Sequence, residues 1–132
     1  MARYYRLDEA NERLAELRPM LEALREDRDE VARLQQTIRD LHTNNGSAEH
    51  AAEVARLESD MRDVVGRMKK AVEQMDEWSI ALRDIGTGLI DFPALANGRP
   101  IWLCWRLGEG DIEWFHEADQ GFDSRQRLTD IS

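Results

Sequence analysis

A chain of 132 residues, 42% hydrophobic and 34% charged, is the size of one ordinary domain and holds enough apolar side chains for a core. Its net charge of −9 argues against a nucleic-acid partner, which calls for a basic face. No apolar run is long enough to cross a bilayer, the opening Met1-Ala2-Arg3-Tyr4-Tyr5-Arg6 lacks the apolar stretch of a signal peptide, and a lone cysteine makes no internal disulfide, so the expectation is a cytoplasmic protein without a membrane segment.

The first half reads as helix. Leu7-Asp8-Glu9 marks a start, with Asp8 as N-cap and acids in the first turn. Leu14, Leu17, Leu21, Leu24, Val31 and Ile38 follow a seven-residue repeat that Leu34 and Leu41 widen and that Arg28 and Gln35 interrupt. Pro19 falls on the outward side and predicts a kink or a break near Ala15. Glu9 with Arg13, and Asp29 with Arg33, stand at i,i+4 spacing on a solvated face. Asn45-Gly46 ends the helix and Ser47 caps the next. A second series, Val54, Leu57, Met61, Val64, Met68, Ala71, Met75 and Trp78, has an uncharged seam, and its methionines read as adaptable core packing. Two such helices joined by a short loop make a long antiparallel hairpin, placed at 8–77.

The pattern then changes to period two. Ile80 and Leu82 alternate with Ser79, Ala81 and Arg83, which predicts a helix end near Glu77 and a strand near 79–83. Gly88 to His116 carries the only cysteine and three of the four tryptophans. Asn97-Gly98 signals a type I′ hairpin turn, and Glu109-Gly110 a second turn. Three antiparallel strands follow, near 88–95, 100–106 and 111–117, making a meander of three or four strands over 79–117. The tail 118–132 reads as loop. The whole is a single α+β domain, a helical hairpin followed by a small antiparallel meander.

The turns set a register. Asn97-Gly98 places Asp91 opposite Cys104 and Phe92 opposite Leu103; a turn centred on Glu109-Gly110 places Trp105 opposite Trp114 and Cys104 opposite Phe115. Alternation sorts Ile90, Phe92, Leu103, Trp105, Ile112, Trp114 and His116 onto an apolar face toward the helices, and Asp91, Trp102, Cys104, Arg106, Glu113, Phe115 and Glu117 onto a mixed outer face.

These residues also carry a resemblance. Gly88-Leu89-Ile90-Asp91-Phe92-Pro93, Gly98-Arg99, Leu103-Cys104-Trp105, Gly108-Glu109, Ile112, His116, Gly121-Phe122 and Arg125, with Glu9-Ala10-Asn11 in the helical front, resemble the prokaryotic "domain of unknown function 2203" family over nearly the whole chain. The resemblance implies a small prokaryotic, cytoplasmic protein and brings no activity with it.

No catalytic, metal or phosphate motif is complete. His116 has Asp111, Glu113, Glu117 and Asp119 near it in sequence, but alternation puts Glu113 and Glu117 on the other face, and Cys104 has no CxxC partner. The expectation is therefore a hydrogen-bonded core histidine, no bound transition metal and no cofactor. Cys104, predicted beside Asp91, reads as a packed thiol. His42 and His50 flank the hairpin tip. Candidate ligand- or partner-binding residues are Asp91, Trp102, Arg106, Glu109, Phe115, His116 and Arg125. The tail either folds over the mixed face, with Phe122 on the aromatics and Arg125 paired to Asp91 or Glu109, or leaves that face to a ligand. The reading leans away from an enzyme and toward a self-associating interaction or structural module, a homodimer through helices that outreach the sheet. The alternative is a small-ligand-binding protein or metal-dependent enzyme with its site on the meander.

Overall fold

The computed structural model describes residues 3–43 and 48–131. Helix α1 spans Leu7–Thr43 and helix α2 spans Ala48–Glu77. Five strands follow, β1 (Ala81–Asp84), β2 (Leu89–Ala96), β3 (Arg99–Arg106), β4 (Trp114–Glu117) and β5 (Gln126–Arg127), all antiparallel and in the order β1-β2-β3-β4-β5. The α+β class and the hairpin-then-meander order are as the patterning indicates. The tail adds a short fifth strand and two single-turn 3-10 helices, Phe122–Ser124 and Leu128–Asp130, where a loop was expected.

Helix α1 is one continuous helix through Pro19, so the expected break near Ala15 does not occur. Pro19 and Ala15 are both exposed, and the carbonyl that loses its partner to the proline can turn to water. The helix starts a residue earlier than expected, placing Asp8 inside its first turn; the Glu9 carboxylate accepts the Arg6 N–H at 3.1 Å instead. Glu9 also pairs with Arg3 and Arg13 with Glu16, in place of the expected Glu9–Arg13 pair. The expected cap at Ser47 and the breaker Asn45-Gly46 lie outside the described residues.

The core forms at one end of the hairpin. Ala10, Leu14, Leu17, Leu21 and Leu24 of α1 and Met75 of α2 pack on Ile90, Phe92, Leu103, Trp105 and Phe115 of the sheet. Beyond Leu24 the stripe of α1 is less covered: Val31 borders a groove with Ile85 and residues of α2, and Val31, Leu34, Ile38 and Leu41 are half-buried. The 37 residues of α1 extend about 55 Å, more than a small sheet can cover.

The β2–β3 hairpin has the expected register, Asp91 opposite Cys104 and Phe92 opposite Leu103, closed by Asn97 at φ 52° and Gly98 at φ 83°. The next hairpin differs by one residue. Leu103 faces Phe115, Cys104 faces Trp114, and Trp102 faces His116. The connection is no two-residue turn. Trp105 Nε1 donates to the Gly110 carbonyl at 2.8 Å, the Glu109 carboxylate accepts the Arg106 N–H at 2.8 Å, and Asn11 Oδ1 of α1 accepts the Ile112 N–H at 2.8 Å. These bonds hold the chain out of the sheet until Trp114. At the far end, Arg99 clasps Glu117 through bonds of 2.8 and 3.1 Å, holding the Glu117 carboxyl below the usual carboxylate range. One residue of slip moves every β4 side chain to the other face. Phe115 therefore lies in the core, while Trp114 and His116 leave the apolar face for the mixed one.

Candidate functional site

The corrected register assembles a polar cluster on the outer face of the meander. Asp91 in β2, Cys104 in β3 and His116 in β4 are all buried, at 3%, 1% and 2% exposure. His116 Nε2 lies 2.9 Å from Asp91 Oδ2, and Arg83 Nε donates to that same oxygen at 2.9 Å. His116 Nδ1 lies 3.0 Å from the Glu117 carbonyl oxygen. That carbonyl only accepts, so Nδ1 carries a proton, and Nε2 and Asp91 share the bond between them. Asp91 Oδ1 is buried and meets no hydrogen-bond partner. A buried, orphaned carboxylate oxygen is uncommon in a folded protein and calls for an explanation.

Burial, and after it the charge of Asp91, pushes the Cys104 thiol up to about 12, against the lowering influence of the Arg125 guanidinium. Cys104 is thus a neutral thiol at ordinary pH and no free nucleophile. Asp91, Cys104 and His116 each offer one ligand atom, and these atoms all lie within 4.8 Å of one another. One imidazole, one thiol and one carboxylate are a donor set for a transition metal.

A cavity of about 410 Å³ opens beside the cluster, lined by Asp91 and His116, by Arg83 and Leu89, and by the 118–122 segment including Phe122. Such a volume suits a small molecule. The tail folds onto the mixed face, as one of the two expected arrangements has it. Its arginine pairs with Glu109 at 3.0 Å, while Asp91 takes Arg83 and His116. Arg125 also stacks over Trp114 at 4.5 Å and Phe122 at 4.4 Å, and Arg106 over Phe122 at 5.4 Å. Trp102 lies on this face beneath the Arg83 guanidinium at 4.8 Å.

Of the seven residues singled out from sequence, Asp91 and His116 meet directly, Trp102 adjoins them through Arg83, and Glu109, Arg106 and Arg125 gather around Phe122 and Trp114. Phe115 does not belong to the site, being 1% exposed in the core. Sequence reasoning passed over Arg83, which lies in a short edge strand, and over Cys104 as a member of a cluster. The signal for Cys104 was its pairing with Asp91, which the Asn97-Gly98 turn dictates.

A model of the family described as "Uncharacterized conserved protein (DUF2203)" matches residues 3–128. The chain belongs to this family. The DUF2203 match covers the hairpin and the meander together, so Asp91, Cys104, His116 and Arg125 all fall inside it. No curated protein and no solved structure matches the chain.

Proposed function

We propose that this protein is a small-ligand-binding module whose site is the cavity on the outer face of the meander, with Asp91 and His116 at its floor. The observation that carries the reading is Asp91 Oδ1, a buried acceptor without a partner, on a residue that lines the cavity. It would be met by a donor group of the ligand, with Arg83 offering a cation at the rim and Phe122 an apolar wall. Native mass spectrometry of freshly purified protein tests this. The expected result is a non-covalent adduct on the wild-type chain that Asp91→Asn and Arg83→Met lose while circular dichroism stays unchanged. A bare wild-type mass, or an adduct equally present in both variants, contradicts it.

A second reading, self-association through the helices, is favoured by an apolar groove between the two helices beside the β1–β2 turn. Val31, Met68, Val72 and Ile85 border it together with Val65, which is 47% exposed. A second hairpin laid on this stripe would make a four-helix bundle, a homodimer of coiled-coil character. Light scattering should give twice the chain mass, and Val65→Asp should give the single-chain mass with the fold retained. A monomeric wild type at micromolar concentration rejects it. No helix among the described residues is long and apolar enough to cross a membrane. With a reduced, buried Cys104, a cytoplasmic setting is part of the proposal.

A further inference from the structure

We infer that Asp91, Cys104 and His116 form a binding site for one borderline-soft divalent cation of the zinc class. The proposal deepens the cavity reading, since the metal would sit at the cavity floor and leave one coordination position open to it.

Three observations converge. The first is the orphaned Oδ1 of Asp91. A cation on Oδ1 satisfies it while Oδ2 keeps the Arg83 guanidinium. The second is the ring of His116. Its Nδ1 is turned to the Glu117 carbonyl at 3.0 Å, which leaves Nε2 as the nitrogen facing the cluster. A backbone carbonyl on the far nitrogen is the usual way a ligating histidine is held in the right tautomer. The third is the donor set. Imidazole and thiolate disfavour calcium and magnesium, and three protein ligands with an open fourth position match a zinc site that keeps water.

The charges agree as well. One thiolate and one carboxylate offset a divalent cation, and the Arg83 guanidinium that stays on Oδ2 is 44% exposed, so water screens its charge. Arg125, the other cation near Cys104, is already paired with Glu109 at 3.0 Å. Without a metal the thiol keeps its proton; binding forms metal–sulfur and metal–nitrogen bonds and releases two protons to solvent, that of the thiol and that held between Nε2 and Asp91, with no change of oxidation state. The adjustment required is small. Bonds of about 2.0–2.3 Å in a tetrahedron put donor atoms about 3.3–3.6 Å apart, and one ligand atom from each of the three residues already lies within 4.8 Å of the other two. The metal would replace the proton between Nε2 and the carboxylate.

The test is titration of reduced, chelator-stripped protein with Co2+. The expected result is saturation at one equivalent per chain, with a thiolate-to-cobalt charge-transfer band in the near ultraviolet and its displacement by Zn2+. Cys104 is the only cysteine, so the band reports this site alone. Cys104→Ala should lose the band and at least about tenfold in affinity, with an unchanged circular dichroism spectrum. Saturating Co2+ without the band on the wild type overturns the proposal, and so does equal affinity in Cys104→Ala. The wild-type spectrum decides even if a variant fails to fold. Because the titration uses no cavity ligand, its failure leaves the adduct experiment standing, and an adduct that survives chelation isolates the cavity reading from this one.

Discussion

The Asp91–His116 contact is the polar centre of the molecule. Both residues are almost wholly removed from water, so neither can lose its partner without leaving a buried group unmet. His116→Ala should cost at least about 2 kcal/mol in urea denaturation. Arg83→Ala should cost under about 1 kcal/mol, because its side chain is 44% exposed and water replaces part of what it provides. Equal costs would contradict the burial order. Cys104 gives a pH dependence of defined sign. Its folded-state pKa of about 12 stands above the ordinary 9.0 of a thiol, so between these values the folded chain holds a proton that the unfolded chain has lost. That contribution to stability is fully present below pH 9 and falls away as pH rises toward 12. The melting temperature of Cys104→Ala should therefore decline less steeply than that of the wild type across this range, and parallel declines would reject the assignment.

At the scale of elements, the hairpin is unequal along its length. Leu17 is fully buried between helix and sheet, so Leu17→Ala should cost about 2–5 kcal/mol, while Leu41→Ala, on the half-buried stripe, should cost under about 1 kcal/mol in the monomer. Chemical denaturation at low protein concentration measures both. Gly98→Ala, at φ 83°, should cost about 1–2 kcal/mol through left-handed strain alone. What was legible in the sequence follows from what is local. The heptads around Leu14 and Val54, and the Asn97-Gly98 turn, act over a few residues and were read with the right period and register. The β3–β4 register depends on Asn11 holding Ile112 from 101 positions away, and no local pattern encodes that bond. Glu109-Gly110 does lie in a turn, but the side-chain and backbone bonds around it make a longer loop than its residues alone suggest. Pro19 does not break α1, since the exposure that lets the helix run on through it is a property of the packed helix.

For the whole molecule, these errors have one consequence. With the register expected from the turn, His116 faces the helices and Asp91 faces Cys104 without it; with the register observed, the three converge, and Asp91 and His116 line a cavity that the tail helps to wall. The core uses one end of the hairpin and one face of the sheet, which leaves the far helical stripe and the outer face of the meander free for other work. The proposed assembly and the proposed ligand binding use different surfaces, and Val65→Asp should alter mass in light scattering without altering Co2+ titration. Everything assigned to the outer face rests on the placement of His116 beside Asp91 and Cys104. Nuclear Overhauser spectroscopy of the labelled protein measures that placement directly. Cross-peaks from the His116 ring to the β-protons of Cys104 and Asp91 are the predicted result; cross-peaks from that ring to the Leu17 and Trp105 side chains, with none to Cys104, would contradict it.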